Sequence, residues 1–296
     1  MAASTWPGFS GEGTWYKGNL HCHSTESDGD RSPADVTRFY KSRGYSFITL
    51  SDHRRVTDIS DQASDGFLPI GGMEIDGNHA LTGGPFHMLA IGLHALNAQQ
   101  PGLELPELLD AIAADGGISI FCHPYWLGTC ATDLENLDRC VGVEVFNANC
   151  EVEIAKGYST ECWDDTLQRG MRFFGFAHDD AHWRSDDFGR AWILVRAAKL
   201  DEASILQAIR DGVFYSSSGP IIESLGIDNG TVTVTCSPVA AIHFVGDTRY
   251  GQRTAAPVGE SITSAEYKLD GRERYLRVEC VASDGSRAWS NPVWFV

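Results

Sequence analysis

No uninterrupted apolar stretch of this 296-residue chain approaches the roughly 18 residues that a membrane-spanning helix requires. The N-terminus, MAASTWPGFSGEGTWYKGN, has no basic region leading into an apolar core, so it does not read as a secretory signal. A soluble, cytoplasmic protein is the expectation. Its eight cysteines (Cys22, Cys122, Cys130, Cys140, Cys150, Cys162, Cys236, Cys280) include no CxxC pair, and several sit in apolar runs. That spacing suits reduced, buried thiols better than a disulfide framework or a thiolate metal site. Basic residues are scarce as well: 23 Lys and Arg stand against 40 Asp and Glu, for a formal net charge of −17. Such a balance opposes the counterion displacement that binding to phosphate backbones needs, and so disfavours long nucleic acid as a partner. A small anionic substrate is not excluded, because bound metal ions can reverse the field locally. With 43% hydrophobic and 21% charged residues, and no internal repeat or low-complexity tract, the composition is that of a folded globular chain.

From about Trp15 to Pro220, strand-like runs alternate with helix-like ones, the pattern of an α/β domain with a parallel sheet. NLHCH reads as a strand and RSPADVTRFYKSRG as a helix, with Ser32 as cap, Pro33 and Asp35 in the first turn, and Val36, Phe39 and Tyr40 as an apolar stripe ending at Gly44. SFITLSDH, LPIGGMEI, HMLAIGL, ISIFCHP, GVEVFNA, FFGFAHDD, AWILVRA and VFYSSSGP are further strands, and LPELLDAIAADGG, a segment within 151–169, and ASILQAIRDG further helices. Roughly seven βα-like units result, and they point to a barrel or a strongly curved sheet with functional residues at the C-terminal strand ends. Beyond Gly219 the texture changes to short alternating runs separated by DNG, GDT, DG and SDG turns. The expected division is therefore 1–219 for the α/β part and 220–296 for a small all-β, sandwich-like appendage.

Nine metal-capable side chains lie in short motifs along the first part: His21 and His23 in LHCH, Asp28 in SDGD, His53 in SDH, Glu74 in GGMEI, His87 in PFHML, His123 in FCHP, and Asp180 with His182 in HDDAH. In a strand, residues two apart share a face, so His21 and His23 can converge on one ion while Cys22 points away. Alone, an HxH pair is no more telling than two ordinary structural histidines, and Asp28 alone would read as an Asx turn. Together the nine nitrogen and oxygen donors suit two or three divalent cations. Asp180 is preferred to Asp179 because it shares a strand face with His182, and Asp52 is read as a loop cap or a partner supporting the ligands. His87 fits less neatly, since it begins a strand. His79, His94 and His243 have no motif context and are taken as structural, whereas Tyr125, Trp126 and Trp183 adjoin ligand motifs and are candidates for a pocket lining.

The ordered set HCH, SDG, SDH, GMEI, FHML, CHP and DDAH resembles the PHP family, the polymerase and histidinol phosphatase superfamily of metal-dependent phosphoesterases. That resemblance spans about His21 to Pro220. It implies a distorted (βα)7 barrel carrying two or three Zn, Mn or Fe ions and hydrolysis of phosphoesters. Carried over position by position, it implies that His21, His23, Glu74 and Asp180 hold one ion, that Glu74 bridges to a second held by His87 and His123, and that Asp28, His53 and His182 hold a third. Asp180, His182 and Arg190 are the expected catalytic residues, Arg190 as the cation facing the phosphoryl group, with Arg184 and Lys156 behind it. The expected activity is hydrolysis of a small phosphorylated metabolite, a nucleotide or sugar phosphate, as mono- or diester. An amidohydrolase-type C–N or lactone hydrolase and a non-enzymatic metal-binding scaffold stand as alternatives.

Overall fold

The computed structural model describes residues 5–78, 84–93, 105–129, 131–135 and 137–295. Three parallel neighbours, β1 (Thr14–Asn19), β2 (Phe47–Ile48) and β3 (Leu68–Pro69), begin the fold. Between the first two lies α1 (Pro33–Ser42), which starts where the Asp35 N–H donates to Ser32 Oγ at 3.2 Å. Val36, Phe39 and Tyr40 form its buried stripe.

A second sheet has the order β4 (Gly72–Asn78), β5 (Pro85–Ile91), β6 (Ile118–Phe121), β7 (Cys140–Asn147) and β8 (Phe174–His178). Helix α2 (Leu105–Ala114) precedes β6. The short α3 (Pro124–Leu127) follows it, and α4 (Ala148–Ile154) and α5 (Thr160–Gln168) connect β7 to β8. Strands β6, β7 and β8 run parallel, but β5 is antiparallel to both β4 and β6. This departs from the uniform βα alternation expected from the sequence. The reason is chain length: residues 79–84 alone separate β4 from β5, and a parallel crossover needs about a dozen. The fold is mixed α/β with several sheets, and these do not close into one another by a continuous ladder. Single bridges tie their edges at two points, Cys22 to Ala181 and His53 to Glu74.

Strand β9 (Trp192–Ala197) pairs antiparallel with β1 on its other side, and after α6 (Glu202–Arg210) β10 (Phe214–Ser217) pairs with β9. Eight strands follow: β11 (Ile222–Asp228), β12 (Thr231–Val239), β13 (Ala241–Gly246), β14 (Gly251–Ala255), β15 (Ile262–Lys268), β16 (Tyr275–Val281), β17 (Arg287–Ser290) and β18 (Val293–Trp294). Of these, β11, β12 and β15 form a separate antiparallel sheet, while β14, β13, β16 and β17 continue the sheet of β10, β9 and β1. One sheet thus runs across residues 219–220. Trp6 and Tyr215 share a core cluster with Val232, Phe244 and Val278. The buried Arg277 of β16 forks onto Asp164 of α5 with two 2.7 Å bonds and reaches Glu279 at 3.1 Å, so its charge is paired where it leaves water.

Among the described residues no helix is long and apolar enough to cross a membrane. Cys22, Cys122, Cys140, Cys150, Cys236 and Cys280 are buried free thiols, Cys162 is a half-buried one, and Cys130 lies outside the described residues, as do His79 and His94. His243 sits on β13, its Nε2 buried without a hydrogen-bond partner.

Candidate metal centre

The chain leaving β1 remains extended through His21, Cys22 and His23, bonded along one side to the segment after β8: the Asp180 N–H donates to His21 O at 2.9 Å and the His23 N–H to Ala181 O at 3.0 Å. The Cys22 thiol turns the opposite way and donates to Thr49 O at 3.3 Å. Both imidazoles therefore emerge on one side. Their Nε2 atoms each lie 3.0 Å from Asp180 Oδ1, and 3.0 and 3.1 Å from Glu74 Oε2. The other oxygen of Glu74, Oε1, lies 2.7 Å from His87 Nδ1 and 3.4 Å from His123 Nε2. One buried carboxylate thus faces a histidine pair with each oxygen.

His87 reaches this point because β5 runs against its neighbours. The start of β5 lies beside the end of β4, where His87 pairs with Asp76, two residues from Glu74. The misfit noted at His87 is removed by strand direction.

On the rim, Asp28 Oδ2 lies 3.2 Å from His182 Nε2, and its Oδ1 lies 3.6 Å from His23 Nδ1 and 3.9 Å from His53 Nε2. Gly29 lets this loop pack close: a Cβ there would meet the His23 backbone at 2.6 Å. Asp180 and His182 come together differently from the expected shared strand face. Strand β8 ends at His178, and Asp180 adopts φ of 53°, so both residues project from a left-handed turn. The His182 ring is fixed by its Nδ1–H, which donates to Asp180 O at 2.8 Å, leaving Nε2 for Asp28.

The donor set fits divalent ions. Ligand atoms about 2.0–2.2 Å from one tetrahedral ion lie about 3.3–3.6 Å from each other, close to the spacings here. His21, His23, Glu74 and Asp180 form one group of converging donors; His23, Asp28, His53 and His182 form another; Glu74 and His123, with His21 and Cys122, form a third. Electrostatics agree with the geometry. Burial opposes charge on His21 and His23, yet the carboxylates around them outweigh it, holding His21 well above its ordinary value and raising His23 to about 9. Burial also opposes charge on Glu74 and Asp180, and there the histidines outweigh it and hold both carboxyls well below their usual range. Protons thus stand where cations would otherwise balance the buried carboxylates.

No family model and no curated protein matches the chain. Among solved structures, it is similar to a two-domain protein from Bacteroides vulgatus containing a predicted PHP-like metal-dependent phosphoesterase, over 97% of this chain and 97% of that one, with a TM-score of 0.54 at 18% identity. The chain adopts a PHP-like fold. An amidohydrolase from Chromobacterium violaceum, with bound sulfate and no metal, is similar over 58% of this chain and 89% of its own, with a TM-score of 0.45 at 16% identity.

Within this PHP-like fold, the supporting residues were the part least visible in sequence. Glu144 of β7, fully buried, accepts from His21 Nδ1 at 2.7 Å, His178 Nδ1 at 2.9 Å, the His123 N–H at 2.9 Å and Asn147 Nδ2 at 2.9 Å. It orients His21 and anchors His123 at once. Asn147 also donates to Asp180 Oδ2 at 3.1 Å and caps α4 through the Cys150 N–H. A signal existed: a carboxylate inside the apolar run GVEVFN is costly to bury unless bonded. Asp52 accepts from the Ser24 N–H and from the Ser24, Ser27 and Thr57 hydroxyls, bracing the loop that carries Asp28. Asp179 accepts from Tyr40 Oη and from the N–H groups of Gly189, Arg190 and Ala191; burial nevertheless raises it to about 6.

Of the three cations expected at the site, Arg184 is the one that lines the cavity. The Arg190 guanidinium turns to the carboxylate and carbonyl of Asp186, four residues back, and does not line the cavity. Lys156 lies 5.5 Å over the Tyr125 ring, also outside it. Arg184 does line the cavity of about 230 Å³ above the ligands, held by the Asp28 carbonyl. Trp126 forms a wall of the same cavity, whereas Trp183 is core, its Nε1–H donating to His23 O at 2.9 Å.

Proposed function

We propose that the chain is a metal-dependent phosphoesterase acting on a small phosphorylated metabolite. The observation that carries this reading is Glu74, whose two oxygens face separate histidine pairs at 2.7–3.4 Å beneath a cavity that Arg184 overlooks. In this reading the bridges Cys22–Ala181 and His53–Glu74 are the seams of a distorted seven-stranded barrel. His21, His23, Glu74 and Asp180 would hold one ion, Glu74, His87 and His123 a second, and Asp28, His53 and His182, with His23 beside them, a third; zinc, manganese and iron suit these donors. Such ions supply Lewis acidity and lower the pKa of bound water.

The chain's own residues do the rest. Glu144 fixes the His21 ring so that Nε2 faces the site. The loop braced by Asp179 and Asp187 carries His182 and Arg184 together, since the His182 N–H donates to Asp187 Oδ2 at 2.8 Å. Arg184 replaces Arg190 as the donor to non-bridging phosphoryl oxygens, and Trp126 shields one side of the cavity from water. HxH sites of amidohydrolase type usually combine the histidine pair with a bridging lysine, and here the Glu74 carboxylate stands between the two ligand groups instead, which favours phosphoester over C–N hydrolysis. The acidic surface favours a small substrate over nucleic acid, and a cytoplasmic setting suits the reduced thiols. The test is hydrolysis of p-nitrophenyl phosphate and a panel of phosphomonoesters and diesters by the metal-loaded protein. Activity that His123→Ala abolishes is expected; no such activity across the panel would end the reading.

A further inference from the structure

The cavity has a side that neither the ligands nor Arg184 occupy. It is formed by α3 and α4, through Trp126, Asn149 and Glu153. Trp126 stands edge-on to His123 and His87, with ring centroids 5.1 and 5.7 Å apart, and keeps 39% of its surface exposed. The Asn149 side chain lines the cavity although the residue is only 7% exposed, and its Oδ1 is buried without a hydrogen-bond partner. It is held in place by its backbone, whose N–H donates to Asp179 O at 2.9 Å, next to Asp180. Glu153, one turn further along α4, is exposed.

An amide, a carboxylate and an aromatic wall border the space in which the part of a substrate beyond its phosphorus would lie. A buried carbonyl oxygen left unpaired is unfavourable, so a turn of the Asn149 amide that brings its oxygen to a donating ligand group is favoured. A carboxylate at the rim repels a second anionic group and accepts from hydroxyls. An exposed indole offers an apolar surface to the C–H face of a ring. Resting on the phosphoesterase reading above, we propose that Trp126, Asn149 and Glu153 form a leaving-group subsite for a hydroxyl-bearing ring, so that the substrate is a sugar monophosphate and not a bisphosphate or an alkyl phosphate.

The test separates this from the parent reading by measuring binding without turnover. Calorimetry on the metal-loaded protein would compare a hexose phosphonate, its bisphosphonate analogue, phenylphosphonate and methylphosphonate, all stable to hydrolysis. The hexose phosphonate is expected to bind about tenfold or more tighter than methylphosphonate, one hydrogen bond to a buried acceptor being worth about that factor. Asn149→Leu and Glu153→Gln should each narrow that ratio, and Glu153→Gln should raise the relative affinity for the bisphosphonate. Trp126→Ala should weaken the hexose phosphonate more than methylphosphonate. Equal affinities for hexose and methyl compounds, or tightest binding of phenylphosphonate, would overturn the subsite, while hydrolysis of the phosphomonoester panel could still stand. If no phosphonate bound at all, the subsite and the parent reading would fall together.

Discussion

Glu144→Gln is the most informative single change, because the residue touches no substrate and yet holds two of the expected ligands. Its carboxylate receives four donors at 2.7–2.9 Å, two of them imidazole nitrogens. Glutamine keeps the shape but has only one acceptor oxygen, and its amide NH2 would oppose either His21 Nδ1–H and His178 Nδ1–H or the His123 N–H and Asn147 Nδ2. In the first orientation the His21 ring would lose the bond that directs its Nε2 at Glu74 and Asp180. Hydrogen bonds to a charged group contribute about 1.5–3 kcal/mol, and loss of such a supporting partner typically weakens metal binding about 10–100-fold. Competition of the protein with a chelator for zinc or manganese, monitored beside circular dichroism, reads this directly. A fold kept intact with metal affinity lowered by that factor is expected. Unchanged affinity in a folded Glu144→Gln protein would refute the orienting role.

Further outcomes follow from the same structure. His23, raised to about 9, carries a proton at pH 7 that an incoming ion must displace; metal affinity should rise with pH between about 7 and 9, with proton release visible as buffer-dependent heats in calorimetry. The sign reverses for the metal-free protein: its stabilisation by protonated His23 is complete below the ordinary histidine value of about 6.5 and is lost as pH rises through about 9, so its Tm should fall over that window while the metal-loaded Tm does not. Arg184→Met should lower kcat/KM for phosphoesters about 10–100-fold, in line with loss of one charge-assisted contact, and Arg190→Met should change it by less than about threefold; comparable losses in the two variants would contradict the placement of Arg184. A chain ending at residue 219 should expose the β10 edge that β17 covers at Tyr215–Ser217 and aggregate on refolding; light scattering that showed a stable monomer would make residues 1–219 an independent folding unit.

The sequence carried much of the site and less of the scaffold. His21, His23, His123 and Asp180 were legible because each follows an apolar run that forms a strand, whereas Glu74 lies within β4, the third of its seven residues. The period of two located His21 and His23 but gave the wrong reason for Asp180 and His182, since Asp180 takes a left-handed φ with its N–H on His21 O, a partner far along the chain. The partner of Arg190, Asp186 four residues back, was not legible, because motif context does not show which nearby carboxylate a guanidinium takes. Strand direction was readable in principle from the short 79–84 connection, and would have placed His87. The continuation of the β10 sheet into β17, β16 and β13 was not readable, because non-local pairing leaves no mark on the alternation of either segment.

The central claim is that these donors hold divalent ions in adjacent positions around Glu74. Anomalous diffraction from crystals of the metal-loaded protein tests it most directly. Two or three peaks are predicted, with two of them sharing the Glu74 carboxylate, one beside His21 and Asp180 and the other beside His87 and His123. A single peak away from Glu74, or none, would contradict the account.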